Sequence, residues 1–246
     1  SGTFTKNGGV GTTTFNTNFG LTVNNTGTID VQSGTVNMVP TTFNNDGVVN
    51  LATGATLTLG STGAGAGVYT LNGTGQVNFT GGTQTFNTGA DISGAGLFNV
   101  SGGTMTVVAA AMHADNLQLA GGTLDGTGAL TVDNALTWTG GTQSGAGSTT
   151  VVPAASLTIS GSPQLLTRTF TNQSTTGVWS GAGTIDMGGV FNNAGTLTAT
   201  GDGTLRALSD NGTFNNSGTF TKNGGVGTTT FNTNFALTVN NTGTID

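Results

Sequence analysis

The stretch DNLQLAGGTLDGTGALTV at residues 115–132 is followed at residues 133–151 by DNALTWTGGTQSGAGSTTV, and the two align with one inserted residue. Both alternate apolar residues with polar or small ones and then break at Gly-Gly-Thr. Alternation with a period of two places the apolar side chains on one face of a β-strand. Short strands separated by Gly-rich breaks at a fixed period indicate an all-β protein built from stacked units.

The marker apolar-x-apolar-x-Gly-Gly-Thr occurs four times in the middle of the chain, with spacings of 21, 19 and 19 residues. The first apolar positions are predicted to stack as one inward column: Val77, Phe98, Leu117 and Leu136. The second positions are predicted to form the neighbouring column: Phe79, Val100, Leu119 and Trp138. Gly-Gly supplies the corner, where a positive φ carries little penalty.

A second marker, apolar-Asn-Asn-x-Gly, begins at Val23, Phe43, Phe191, Phe214 and Val239. Asparagine tolerates left-handed turns and hydrogen-bonds its own backbone. The pairs are therefore predicted to be structural turn residues: Asn24, Asn25, Asn44, Asn45, Asn192, Asn193, Asn215 and Asn216. If the paired asparagines face inward, their stacked amides would instead form a ladder along the axis.

A unit of about 20 residues with three short strands and three corners is one turn of a parallel β-helix. The sequence therefore predicts an all-β, right-handed parallel β-helix (β-solenoid), with about ten turns in 216 residues. The segment VVAAAMHADNLQLA at residues 107–120 has helical propensity, but its place within the period predicts strand. A single turn could not fold alone, so stability belongs to the array.

A much longer repeat encloses the short one. Residues 1–30 and 217–246 match at 29 of 30 positions, differing only at Gly20 and Ala236. We predict that residues 1–216 are one full long repeat and that residues 217–246 start the next, continuous with it. Because Ser217, the counterpart of Ser1, lies inside the motif FNNSG, the chain is expected to be a slice of a longer tandem array.

Composition excludes several classes of function. Charged residues make up 6% of the chain, the net charge is −6, and only four residues are Lys or Arg. Such a chain offers no basic face for nucleic acid. With no Cys and one His, His113, which is predicted to lie in a loop, no metal site or cofactor is predicted. No apolar run is long enough for a membrane-spanning helix, so no membrane insertion is expected.

One group of carboxylates is a weak candidate for catalysis. Asp115, Asp125 and Asp133 are the closest carboxylates, and a suitable pair could act as the acid and base of a glycosidase. Asp-Asn at the same place in two successive units favours a turn role, so no catalytic residue is predicted. Asp202 in GDGTLRAL lacks the nine-residue recurrence of calcium-binding repeats.

Two binding alternatives involve surface side chains. Tyr69 and Trp179 would be candidates for sugar binding if they were exposed. Thr-x-Thr pairs, such as Thr56 with Thr58, are typical of ice-binding β-helices, but Asn or Asp interrupts their array. The Gly-rich stretches at residues 63–67, 145–147 and 181–183 lack the Lys of a phosphate loop and are predicted to be corners.

Three stretches resemble repeats of very large bacterial secreted proteins: FNNSGTFTKNGGVGTTTFNT (214–233), LAGGTLDGTGALTV (119–132) and LTWTGGTQSGAGSTTV (136–151). These repeats are similar to those of filamentous-haemagglutinin-like and autotransporter-passenger regions. The resemblance implies a β-helical fold, a cell-surface location and a stalk or adhesive role. We therefore predict a non-enzymatic structural segment of a long extracellular bacterial fibre. Its predicted partner is the next tandem repeat of the same chain, and low surface charge would also permit contacts with neighbouring fibres. The alternative is an adhesin module that binds a glycan or a host surface.

Overall fold

The computed structural model describes residues 2–16, 20–165, 167–208, 212–232 and 235–246. Most strands have four residues and alternate one outward side chain with one buried side chain. This is the pattern that period-two alternation of apolar residues predicts. The described residues form strands and corners and contain no helix, so residues 107–120 are not helical, as predicted.

The first eleven strands are β1 (Thr3–Lys6), β2 (Thr12–Phe15), β3 (Thr22–Asn25), β4 (Thr28–Val31), β5 (Thr35–Met38), β6 (Thr42–Asn45), β7 (Val48–Leu51), β8 (Thr56–Leu59), β9 (Gly63–Gly65), β10 (Val68–Leu71) and β11 (Gln76–Phe79). The next eleven are β12 (Thr83–Phe86), β13 (Asp91–Ser93), β14 (Leu97–Val100), β15 (Thr104–Val107), β16 (Met112–Leu119), β17 (Thr123–Asp125), β18 (Ala129–Trp138), β19 (Thr142–Gln143), β20 (Ser148–Val151), β21 (Ser156–Ile159) and β22 (Gln164–Leu165). The last eleven are β23 (Thr169–Asn172), β24 (Gly177–Trp179), β25 (Thr184–Met187), β26 (Val190–Asn193), β27 (Thr196–Ala199), β28 (Thr204–Ala207), β29 (Thr213–Asn216), β30 (Thr219–Lys222), β31 (Thr230–Asn232), β32 (Thr238–Asn241) and β33 (Thr244–Ile245).

The strands stack into three parallel faces. Face 1 contains β1, β4, β7, β10, β13, the first part of β16, the first part of β18, β20, β23, β26, β29 and β32. Face 2 contains β2, β5, β8, β11, β14, the second part of β16, the second part of β18, β21, β24, β27, β30 and β33. Face 3 contains β3, β6, β9, β12, β15, β17, β19, β22, β25, β28 and β31.

The chain is therefore a β-solenoid of about 11 turns with about 21 residues per turn, which confirms the predicted fold class. Each strand pairs in parallel with its counterparts in neighbouring turns, so the backbone hydrogen bonds run along the axis. The right-handed course stays a prediction. β16 and β18 run through the corner between faces 1 and 2 without a break, which joins these faces into one 22-stranded sheet.

The core is a set of apolar columns along the axis. Val77, Phe98, Leu117 and Leu136 are mutually in register on face 2, and all four are buried. Phe79, Val100, Leu119 and Trp138 occupy the next inward position of the same strands and are also buried. The spacing of the Gly-Gly-Thr marker thus corresponds to one turn, and the marker lies at the corner from face 2 to face 3.

The paired asparagines differ from the prediction that they are turn residues. They occupy the last two positions of β3, β6, β26 and β29: Asn24, Asn25, Asn44, Asn45, Asn192, Asn193, Asn215 and Asn216. In the described residues only glycines have positive φ. The physical reason is that the first amide of each pair points outward and the second inward, so both can extend the strand ladder, and the corner begins after them.

Two further predictions about corners are corrected. His113, expected in a loop, lies in β16, where it pairs in register with Asp91. The glycines at 63–65 form strand β9 of face 3, where a side chain on Gly63 or Gly65 would overlap the backbone of the previous turn. These glycines therefore permit close stacking of two turns.

Candidate functional site: asparagine ladders and the duplicated segment

The inward asparagines form hydrogen-bonded ladders inside the solenoid. Near the start of the chain, Asn25 Nδ2 donates to Asn45 Oδ1 at 2.7 Å. Near its end, the ladder runs through four turns of face 1, with Nδ2 to Oδ1 distances of 2.7–2.8 Å: Asn172, Asn193, Asn216 and Asn241. Asn193 Nδ2 also donates to the Thr219 carbonyl at 3.0 Å. Because buried amides are costly unless paired, the ladder fixes these turns in one register.

The outward asparagines form a second, more exposed ladder. Asn44 Nδ2 donates to Asn24 Oδ1 at 2.8 Å. Asn215 donates to Asn192, and Asn240 donates to Asn215, each at 2.8 Å. Each Asn-Asn pair therefore hydrogen-bonds its neighbouring turns on both sides of the sheet.

The glycine of the Asn-Asn-x-Gly motif is required by close approach of the turns. At Gly218, a Cβ atom would overlap the carbonyl oxygen of Gly195, the equivalent glycine one turn earlier. Gly218 has no left-handed backbone angle, so contact with the preceding turn, and not φ, excludes a side chain.

In the part of the chain that the structure describes, the two copies of the 30-residue segment share a strand pairing and the packing of two phenylalanine rings. β1 pairs with β4 in the same register as β30 with β33, so that Phe4 faces Ile29 and Phe220 faces Ile245. The rings of Phe4 and Phe15 lie 5.2 Å apart at 77°. Their counterparts Phe220 and Phe231 lie 5.4 Å apart at 75°.

The copies differ in what precedes them along the axis. In the first copy, Phe4, Phe15 and Val23 are only partly buried and line an open recess of about 340 Å³. In the second copy, Phe214 packs at 5.4 Å from Phe231 and 6.1 Å from Phe220, and Phe220 is 3% exposed. The turn formed by β27, β28 and β29 therefore supplies the cover that the first copy lacks in the described residues.

The lysine of the segment follows the same pattern. Lys6 Nζ donates to the Gly8 carbonyl at 3.1 Å. Lys222 makes the equivalent contact with Gly224 and also bonds the preceding turn, reaching the Gly201 carbonyl at 2.9 Å and Asp202 Oδ1 at 2.7 Å. The hydrogen bond from Lys222 is the main cause that lowers the pKa of Asp202.

Gly218→Ala is expected to lower the free energy of unfolding by about 1–3 kcal/mol, because the new methyl group overlaps the Gly195 carbonyl. Gly2→Ala, at the equivalent position in the first copy, is the matched control, since open space surrounds Gly2. Urea denaturation of the two variants measures the difference. An equal loss of stability in the two variants would contradict this account, in which only Gly218 contacts a preceding turn.

Four titratable side chains lie close together on face 1 and at its corner with face 2: Asp91, His113, Asp115 and Asp133. Asp91 and His113 are in register on neighbouring turns, and His113 Nδ1 lies 2.7 Å from Asp133 Oδ2 in the following turn. Asp115 Oδ2 accepts a hydrogen bond from the Gly94 amide at 2.6 Å. Asp125 instead lies on face 3, where it accepts from Ser144 Oγ at 3.0 Å. The predicted group of three aspartates is thus divided between two faces.

Asp91→Asn is expected to stabilise the protein at neutral pH. Burial, and then the nearby Asp115, raise the pKa of Asp91, while His113 lowers it and Asp133 raises it. Stability associated with Asp91 is therefore present below its unfolded-state pKa and is lost as pH rises through the folded-state pKa. Denaturant unfolding at about pH 3 and about pH 7 should show a gain for the variant only at the higher pH. A difference that does not change with pH would contradict this account.

The positions of the candidate sugar-binding and ice-binding side chains do not fit those roles. Tyr69 and Trp179 are each 2% exposed and lie in the core, where burial also raises the pKa of Tyr69. The Thr-x-Thr pairs are distributed over all three faces, for example in β1, β8 and β12. They therefore form no continuous column of threonines on one face of the described residues.

Arg168 was not identified from the sequence. Its side chain is fully buried at the corner between faces 3 and 1. Nε donates to Thr149 Oγ1 at 2.8 Å, and the guanidinium reaches the carbonyls of Gly128 at 3.1 Å and Ser148 at 2.8 Å. Burial lowers the pKa of Arg168 to about 10. The glycine at 147 leaves room for this side chain, because a Cβ there would lie 3.0 Å from Nη1.

Gln143→Met is expected to raise the free energy of unfolding by about 1–3 kcal/mol, the cost of burying an unpaired polar group. Gln143 is fully buried on face 3, and neither amide atom has a hydrogen-bond partner among the described residues. Gln84, also inward on face 3, donates to the Ser61 carbonyl at 2.8 Å and provides the control. Gln84→Met should give no such gain in urea denaturation, and an equal gain would refute the explanation.

In the described ranges no three His, Cys, Asp or Glu side chains are placed to hold a metal ion. The same ranges contain no helix long and apolar enough to cross a membrane. The arrangement defines a class, the β-solenoids, in which stacked turns share ladders of side chains. No protein-family model, no curated protein and no solved structure matches the chain.

Proposed function

We propose that this chain is a structural segment of a long, rigid, extracellular bacterial fibre, in which 216-residue repeats follow one another as one continuous solenoid. The observation that carries the proposal is the duplicated segment. Its first copy has the stacking contacts to the following turn, and its second copy has those to the preceding turn. Together they provide every contact that a junction between two long repeats needs.

The chemistry of the junction supports self-association along the axis. Phe214 covers Phe220 and Phe231, Asn216 continues the inner ladder to Asn241, and Lys222 bonds Asp202. The recess at Phe4 and Phe15 has the same ring geometry and fits the phenylalanine of a preceding copy. The proposed function is mechanical. The solenoid sets a distance along the fibre, and it resists unfolding because each turn is stabilised by its neighbours.

The test is the length of particles made from one, two and four long repeats, measured by electron microscopy. At about 4.8 Å per turn, each repeat should add about 50 Å without a change in width. Independent particles joined like beads, or a length that does not grow in proportion, would refute the continuous solenoid.

The location is tested separately. Antibodies raised against the chain should label intact, unpermeabilised cells of the source organism. Labelling that requires permeabilised cells would refute the extracellular part of the proposal and leave the solenoid array in place.

A further inference from the structure

The same sequence lies on two different faces of the solenoid. β1, in the first copy, lies on face 1, where it pairs with β4. β30, its identical counterpart, lies on face 2, where it pairs with β27. Likewise β3 lies on face 3, whereas its counterpart β32 lies on face 1, in register with β29. The long repeat therefore does not contain a whole number of turns.

The strand count gives the size of the shift. β30 is 29 elements after β1, and two intervening elements, β16 and β18, each span two faces. If β16 and β18 are each counted once on each of their two faces, the long repeat advances by 31 strand positions in the described residues. Ten complete turns of three faces would need thirty. The remainder is one face, which is one third of a turn.

The corner motif provides an independent indication. The asparagines of Asn-Asn-x-Gly end β3 and β6, and the glycine lies in the corner from face 3 to face 1. In the later turns the asparagines of the same motif end β26 and β29, and the glycine lies in the corner from face 1 to face 2. The same local structure has moved by one corner, as a shift of one face requires.

We propose that successive 216-residue repeats are rotated by one face about the solenoid axis, so that equivalent surfaces return to the same face only after three repeats. This inference rests on the proposed tandem array. The interface between successive repeats is the open first turn, and its partner is a preceding copy of the same repeat. Phe214 of that copy fills the recess at Phe4 and Phe15, and Asp202 reaches Lys6.

The rotation determines which surface a fibre presents. Outward positions of face 2 from β5 to β27 carry no charge, as at Asn78, Asn99 and Thr158. Charged outward side chains lie on face 1, as at Asp30, and on face 3, as at Arg206. In the array the uncharged strip moves to the next face with each repeat. Each side of the fibre therefore presents it once in every three repeats.

The test uses a chain of four long repeats with a single cysteine in each, at the position of Thr158. Thr158 is exposed on face 2, and the natural chain has no cysteine, so a maleimide gold cluster marks one point per repeat. Cryo-electron microscopy then gives the azimuth of each label relative to the three-sided cross-section. We expect labels about 50 Å apart that change face at every repeat, with the first and fourth on the same face.

A matched control places two labels within one repeat, at Asn78→Cys and Thr158→Cys. Both lie on face 2, so these labels must share one face. Four labels on a single face of a rod of the expected length would overturn the rotation but leave the fibre proposal intact. Particles that do not lengthen by about 50 Å per repeat would remove both.

Discussion

Replacing Phe191 by alanine is expected to lower the free energy of unfolding by about 3–5 kcal/mol. The Phe191 ring is fully buried in face 1, between Phe170 at 4.9 Å and Phe214 at 5.4 Å, and both contacts are edge-to-face. Truncation removes the transfer free energy of the ring and leaves a cavity that two stacked turns cannot close. Urea denaturation followed by circular dichroism measures the loss.

The control for this variant is Val190→Ala. Val190 precedes Phe191 in β26 and points outward, so its loss should be well below that of Phe191→Ala. Similar losses in the two variants would mean that the inward and outward sides of β26 have been misassigned.

Asn193→Ala is expected to cost about 3 kcal/mol, because it leaves buried polar partners without their hydrogen bonds. Asn193 Oδ1 accepts from Asn172 Nδ2, and its Nδ2 donates to Asn216 Oδ1 and to the Thr219 carbonyl. Alanine breaks the inner ladder between three turns. The variant should also increase amide hydrogen exchange in β26 and β29, since local opening follows the weakened ladder.

Asn192→Ala tests whether the loss of stability depends on the side of the sheet, inward or outward, on which the asparagine lies. Asn192 is the outward member of the same pair, and its Oδ1 accepts from Asn215 Nδ2 at 2.8 Å. Its surface position gives a much smaller expected cost, within about 0.5 kcal/mol. A loss as large as that of Asn193→Ala would contradict the two-ladder interpretation.

The apolar columns of face 2 could be predicted because one short-range signal determined them. The Gly-Gly-Thr marker recurs at the same corner, so the residues before it, such as Leu117 and Leu136, fall in register. The repeat of about 20 residues was close to the 21 of the structure for the same reason.

The sequence left the paired asparagines open between a corner turn and an inward ladder, and the structure confirms the ladder. Asparagine is typical of turns, but here Asn193 gains more from an axial ladder than from a local turn, and the ladder partners are more than 20 residues away. The same limit applies to Arg168, whose acceptor at Gly128 is 40 residues distant. An arginine in a chain with only four basic residues was a signal, but it did not indicate which carbonyls the guanidinium would contact.

The shift of one face was not predicted from the markers. The number of Gly-Thr corner markers predicted about ten turns per long repeat. The Asn-Asn-x-Gly motif could not reveal the additional third of a turn, because it is compatible with more than one corner of the solenoid. Only the pairing of strands shows that Asn25 and Asn216 mark different corners.

The measurement that tests the central claim most directly is the mass of the intact native polypeptide under denaturing conditions. A covalent tandem array predicts a mass well above 24.1 kDa, because each further long repeat adds 216 residues to the polypeptide. A mass near 24.1 kDa would contradict it.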